Sequence, residues 1–502
     1  MERNDLEERL TWDTSLIYKE DEDFYKDIDE SKDLAEQLRK YKGKITENAD
    51  SLLDFLKDYE NLMRKLYKAG VYASLKSDED TRVSKYQEMT QTISIVDSEI
   101  SQKLSFITPE ILGEDYEKIK SLLEEKEELK VYDHYFEDLF RSKDHVLSED
   151  QEKIIASFSK LRENPVTTYM IFSNADMKFP SVEKDGEEVS LSDANFTLLE
   201  EDKDRDFRRR VYETYYGVYK QFENTAASLL DGEITSHNIV SKLRGYDSAR
   251  QMSLSVNNLD EEIYDNLLEV VHDNMDIHRN YTTLRKNFLG VDDLGFHDIY
   301  VPLVKDYDRK IEFDEARDIV LEAIKPLGEE YVKVARKGFE QRWFDVMPNV
   351  GKRSGAYSSG SYDTQPYILL NHTDSIGDVF TIAHELGHSM HSYYTRKTQP
   401  FIYGSYSIFL AEIASTTNEL LLLDYMLENS QSEEETAYLL DYFVNQFKST
   451  VFRQTLFAEF EHEVNKLVAK GEPIPAARLD QIYGDLNRDY FGKDIDVDEF
   501  IS

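Results

Sequence analysis

His384, Glu385 and His388, within Thr381-Ile-Ala-His-Glu-Leu-Gly-His-Ser-Met-His391, are the residues of this 502-residue chain whose types and spacing best suit chemistry. On a helix the two imidazoles stand one turn apart, leave the same face and meet at one metal ion. Glu385 then lies beside the ion without binding it, where a general base takes a proton from a metal-activated water. The chemistry implied is hydrolysis. The chain has 11 histidines, so an ordinary pair of polar side chains is the competing reading, and the surroundings must decide.

A hydrolytic zinc site needs three protein ligands and one open position. There are no cysteines, so the ligands must be histidine and carboxylate. The candidate third ligand lies in Ile408-Phe-Leu-Ala-Glu-Ile-Ala-Ser-Thr-Thr-Asn-Glu419, where Glu412, Ser415/Thr416 and Glu419 share one helical face. The rest of that helix is apolar nearly all round, which predicts a buried helix. A buried carboxylate is costly unless a cation neutralises it. Glu412 is therefore assigned as the third ligand, with an ion pair to an Arg or Lys as the other reading. Glu419, His391 and Asp378 are placed as outer supports that orient the ligands. The metzincin pattern requires Gly and His where this chain has His391 and Tyr394, which excludes that class. No Gly-x-Ser-x-Gly elbow, Gly-x-Gly-x-x-Gly turn or P-loop is present.

The elements that must position these residues are legible in the flanking sequence. Ser375 and Asp378 form a capping box ahead of Val379, Phe380 and Ile382, and Ala383, Leu386 and Met390 fall off the histidine face. Just upstream, Gly351 to Asn371 is rich in glycine and small residues, with a strand expected at Tyr367 to Leu370. This segment reads either as a plain connector or as an edge that hydrogen-bonds an extended peptide.

Residues 1–195 read as a helical lobe, with Leu52, Leu53, Phe55, Leu56, Tyr59, Leu62, Met63, Leu66 and Tyr67 recurring at three- and four-residue steps, as do Ile93, Val96, Ile100 and Leu104. Ser148 and Gln151 cap a further helix, which Asn164-Pro165 is expected to close. Asp185-Gly186 between two short strand-like runs predicts a β-hairpin over residues 179–191. A charged helix is expected from Asp204 to Tyr216, and the acidic runs at Asp260 and Glu312 belong at helix amino ends. A second domain spans 196–502.

Lys plus Arg total 60 against 101 Asp plus Glu, a formal net charge of -41, which disfavours nucleic acid and anionic lipid as partners. The charged amino terminus lacks the apolar segment of a signal peptide, and no run of 18 apolar residues follows. A cytoplasmic location is expected.

Taken together, Gly351-Lys-Arg-Ser-Gly-Ala-Tyr-Ser-Ser-Gly-Ser-Tyr362, the His384 motif and Tyr406-Ser-Ile-Phe-Leu-Ala-Glu-Ile-Ala-Ser-Thr416 resemble oligoendopeptidase F, of the thimet oligopeptidase type of zinc metallopeptidases. The resemblance implies a mainly α, two-lobed body with a deep channel for short unstructured peptides, one zinc ion on His384, His388 and Glu412, and Glu385 as base. It places Gly355, Ala356, Tyr357, Ser359, Gly360 and Tyr362 along the substrate backbone. Family members continue past the position of Ser502 into a segment whose His and Tyr donate to the reaction oxyanion. Two expectations follow: an endopeptidase, with that segment supplied in cis or in trans, or a peptide-binding protein with silent or impaired catalysis.

Overall fold

The computed structural model describes residues 1–193, 195–304 and 309–501. It is 70% helical and 4% strand, the mainly helical class the periodicity predicts. The chain forms two compact units, each assembled from two stretches: Met1–Glu149 with Asp308–Ser430, and Asp150–Tyr307 with Gln431–Ser502. This partition differs from the linear division at residue 195. Among the described residues no helix is long and apolar enough to cross a membrane.

The first unit begins with long amphipathic helices. Ala49–Glu79 starts at Asn48, whose side chain accepts from the Ser51 N–H, and buries Leu52, Leu53, Phe55, Leu56, Leu62 and Leu66. Ser84–Leu104 buries Val96, Ile100 and Leu104 against the same core, which Asp21–Leu38 completes. Tyr67 departs from the expected apolar face: it is 52% exposed, with its ring toward Phe401. An aromatic ring with a polar tip suits such a boundary.

The unit's second stretch supplies a small sheet and the two helices of the candidate site. Tyr367–Leu369 is the central strand, parallel to Phe344–Asp345 and antiparallel to Tyr357–Ser359. Its three residues are fully buried, as a short unbroken apolar run should be. Tyr357–Ser359 is an edge strand among the described residues. The glycine-rich segment before it is held from below by Lys352, whose buried Nζ lies 2.7 Å from Asp345 Oδ1, with Arg3 as the second cation on that carboxylate.

In the second unit Val182–Lys184 and Glu187–Val189 form the expected hairpin. Asp185 and Gly186 both take positive φ, 54° and 86°, as a two-residue turn matched to strand twist requires. Arg205–Lys220 is capped by Asp204, which accepts from the Asp206 and Phe207 N–H groups, and Asp260 precedes Glu261–Asp273 as expected. Asn164-Pro165 is a correction. Residues Ser159–Arg162 end one helix, but Pro165 lies in the first turn of the next, Asn164–Ile171. Proline lacks only an N–H that a first turn leaves unpaired, so it opens a helix as readily as it stops one.

Candidate metal centre

The histidine helix, Ile376–Thr398, starts at the capping box. Ser375 Oγ accepts from the Asp378 N–H, and Asp378 Oδ2 accepts from the N–H groups of Thr373 and Ser375. Burial pushes the Asp378 carboxyl up, but these donors outweigh it and hold the pKa below the usual value. The structure thus places Asp378 at the helix cap, a turn and more before the histidines. Val379, Phe380, Ile382, Ala383, Leu386 and Met390 are buried at 3% exposure or less, which leaves the His384 and His388 side to face outward.

Close approach of a second helix, Ile408–Glu428, brings Glu412 to the histidines. A Cβ on Gly387 would lie 2.7 Å from Ser415 Cα and 2.8 Å from the Ala414 carbonyl oxygen, so the two backbones meet only because this residue is glycine. Buried Asn418 ties the helices further: its Nδ2 donates to the Ala383 carbonyl at 3.1 Å, and its Oδ1 accepts from the Tyr331 hydroxyl at 3.2 Å.

Three potential ligand atoms converge there. His384 Nε2 lies 3.1 Å from His388 Nε2, and Glu412 Oε2 lies 3.3 Å and 3.5 Å from them. Tetrahedral bonds of about 2.0 Å place ligand atoms roughly 3.3 Å apart, so the donor set fits a zinc-sized ion. The opposite ring nitrogens are occupied. His384 Nδ1 donates to Glu419 Oε1 at 2.5 Å, and the His388 ring bonds the backbone of Ala411. Ser415 Oγ donates to Glu412 Oε2 at 2.8 Å, steadying the carboxylate. Glu412 is 62% exposed against 27% and 16% for the histidine side chains, so one side of the cluster is open to a fourth ligand.

Electrostatics follow from the crowding. Burial alone would lower the His384 pKa, but the hydrogen bond and charge of Glu419 raise it overall. His388 is lowered by burial and by the charge of His384. Burial pushes the Glu385 carboxyl up to about 7, with Glu412 adding to the rise and His384 and the Ser358 amide opposing it. That amide belongs to the edge strand, so the strand runs past the Glu385 carboxylate. A bond between Ser358 Oγ and buried Ser389 Oγ, 2.8 Å, fastens the strand to the helix.

One expectation needs correction. The glutamate helix is not buried all round: Ile408 is 80%, Phe409 55%, Ile413 59% and Leu420 51% exposed. Apolarity on every side could not reveal which side lacks a neighbour. The argument for Glu412 from costly burial therefore fails, and its place beside two imidazoles replaces it. His391, expected as an outer support, stacks on Tyr406, with centroids 3.6 Å apart. Among the expected substrate residues, Tyr357 turns inward, its hydroxyl donating to Asp78 Oδ2 at 2.7 Å. The Gly355 carbonyl accepts from Asn371, Ala356 is half-buried just before the strand, and Ser359, Gly360 and Tyr362 line a separate cavity. Sequence reasoning missed Gly387, Asn418, Ser358 and Ser389. Only Gly387 carried a signal, since glycine inside a helix asks for a packing reason.

Comparison with known proteins bears on this arrangement. Residues 198–502 match Peptidase family M3, and residues 110–179 match Oligopeptidase F. The chain belongs to peptidase family M3. Its relatives in the family include Oligopeptidase PepF of Bacillus subtilis, 40% identical over 501 residues, 100% of this chain and 75% of the relative. An oligoendopeptidase F homolog of Lactococcus lactis is 40% identical over 97% of this chain and 82% of its own length. The crystal structure of oligoendopeptidase-F from Enterococcus faecium superposes with a TM-score of 0.74 at 34% identity, covering 96% of this chain and 82% of that one.

Proposed function

We propose that the chain is a zinc-dependent endopeptidase, a cytoplasmic metalloprotease that hydrolyses short unstructured peptides. The observation that carries this reading is the convergence of His384, His388 and Glu412 within reach of one ion, with the Glu385 carboxylate beside an edge strand. Membership in a family of peptidases supports it. Relatives named oligopeptidase and oligoendopeptidase support short peptides as substrates.

In this reading His384, His388 and Glu412 hold one zinc ion. Bound there, zinc supplies a Lewis acid that polarises a carbonyl and makes water more acidic. Glu385 removes the proton from the attacking water and delivers it to the departing amine. The Tyr357–Ser359 edge aligns the peptide as an added strand, and Glu419 fixes the His384 tautomer so that Nε2 faces the ion.

Replacing Glu385 with Gln is expected to lower turnover of a quenched oligopeptide by roughly 10²- to 10⁴-fold, while zinc still binds at one ion per chain by elemental analysis. A Glu385→Gln protein that cleaves at the unaltered rate would sink the assignment.

A further inference from the structure

Arg396 is a cation of the histidine helix that the proposed mechanism leaves unused, and unlike Lys397, which pairs with Glu330, it is oddly placed. Eleven residues separate it from Glu385, three helical turns and a small remainder, so both lie on one face about 16 Å apart. The edge strand links them. Its Ser358 amide meets Glu385, and just beyond its end the Gly360 carbonyl accepts from Arg396 Nη2 at 2.9 Å. Gly360 has φ +143°, and a Cβ there would lie 2.7 Å from Arg396 Nη1. Only glycine leaves room for the guanidinium.

The guanidinium has no carboxylate partner among the described residues. Its Nη1 is buried without an acceptor, and so is the hydroxyl of Ser361. Burial pulls the Arg396 pKa down from its ordinary value, against only a weaker opposing effect of Tyr406. Both side chains line one cavity of about 570 Å³ that also holds Ser359, Gly360 and Tyr362. The neighbouring cation, Arg64, is already paired with Asp363 and lies over the Tyr362 ring. Asp97, on the same cavity, is exposed, so its charge is screened by water and salt. Two donors without acceptors, one of them charged, on the wall of an open cavity call for an anion with two oxygens.

We propose that Arg396 and Ser361 bind a carboxylate of the peptide substrate a few residues from the bond that is cut, because the strand that meets Glu385 at Ser358 meets Arg396 at Gly360, two residues on. This rests on the endopeptidase reading of the Glu385 site. The carboxylate belongs to an acidic side chain or to a free carboxyl terminus.

The test uses the zinc-loaded full chain and peptide pairs that differ only by Glu or Gln at each position one to seven residues from the cut. A further pair ends there in a free carboxylate or an amide. At one position the charged member is expected to show a kcat/KM roughly ten- to a hundredfold higher, and Arg396→Met is expected to bring that ratio to near one, with Arg396→Lys retaining part of it. Calorimetric binding of the same pairs to Glu385→Gln protein reads the site without turnover. No preference at any position in the unmodified chain overturns the proposal, whatever becomes of the variants, and so does a preference that survives Arg396→Met. If peptides bind with the charge preference but are never cleaved, the endopeptidase reading fails and the carboxylate site stands. Equal cleavage of every pair fails the site alone.

Discussion

Two clusters of ionisable side chains, one in each unit, are built on opposite plans. Around Asp298 in the second unit every carboxylate oxygen is taken: Arg208 Nη2 donates to Oδ1 at 2.6 Å, Arg205 Nη2 to Oδ2 at 2.8 Å, and the Gly295 amide to Oδ2 at 3.1 Å. The carboxylate is fully buried and charge-compensated. Around His384, His388 and Glu412 in the first unit the arrangement is reversed. Two ring nitrogens confront each other and an exposed carboxylate, with no Arg or Lys paired to Glu412 among the described residues. The closed cluster spends its hydrogen-bonding capacity on folding, whereas the open one keeps capacity for a ligand.

The sharpest way to break this contrast is to remove one carboxylate from each cluster. Asp298→Ala is expected to destabilise the protein by about 3–5 kcal/mol, since it leaves the buried Arg208 guanidinium without its carboxylate. Glu412→Ala, at an exposed position, should change the stability of the metal-free protein by less than about 0.5 kcal/mol while abolishing zinc retention. Urea unfolding of both variants in chelator measures the difference. Equal destabilisation would show the open cluster to be a structural ion group after all.

A smaller effect is expected where the open cluster depends on packing. Gly387→Ala places a methyl group against Ser415 and Ala414, and overpacking of that kind costs about 1–3 kcal/mol. Displacing the glutamate helix should also move Glu412 off the histidines, so zinc affinity must fall with stability. A stabilised variant with normal zinc binding would mean that the helices do not need this approach.

Why Gly387 escaped notice while His384 did not is a matter of what a sequence records. His-Glu-x-x-His declares its geometry because both ligands ride one helix with a fixed period. The capping box at Ser375 and the turn at Asp185-Gly186 are legible for the same reason, each being a local hydrogen-bond or backbone requirement. Asn418, Ser358 and Ser389 act across elements far apart in sequence, and their residue types are common in many settings. Exposure of Ile408, Phe409 and Ile413 was hidden because hydropathy reports what a side chain prefers and not whether a neighbour is present. Tyr357 was expected along the substrate backbone, but its inward direction depends on Asp78 in a distant helix.

Support of the open cluster can be probed more gently at Glu419. Glu419→Gln keeps the shape but removes the charge that holds the proton on His384 Nδ1. Zinc affinity, measured by competition with a chelator, is expected to weaken roughly 10- to 100-fold, with little change in the unfolding midpoint of the metal-free protein. Unchanged affinity would assign the Glu419 contact to helix packing alone.

The smallest expected effect concerns a closed polar group that lacks one partner. His278 in the second unit is buried, stacks on Phe452 and donates to the Tyr490 carbonyl through Nδ1, while its Nε2 has no donor to accept from. Burial is the main cause that drives its pKa down to about 4. Between that value and the ordinary value of about 6.5, the unfolded chain carries a proton on this residue that the folded chain does not. Stability therefore rises with pH across this window, and acidification through it favours unfolding. From about pH 7.5 to 5.5 the contribution of His278 is a loss of about 1 kcal/mol. His278→Phe, which preserves the stacking and cannot bind a proton, should reduce the dependence of the urea midpoint on pH by that amount. If the slope is the same in the variant, His278 takes up its proton in the folded state, and the second unit is less closed to water around this ring than its packing implies.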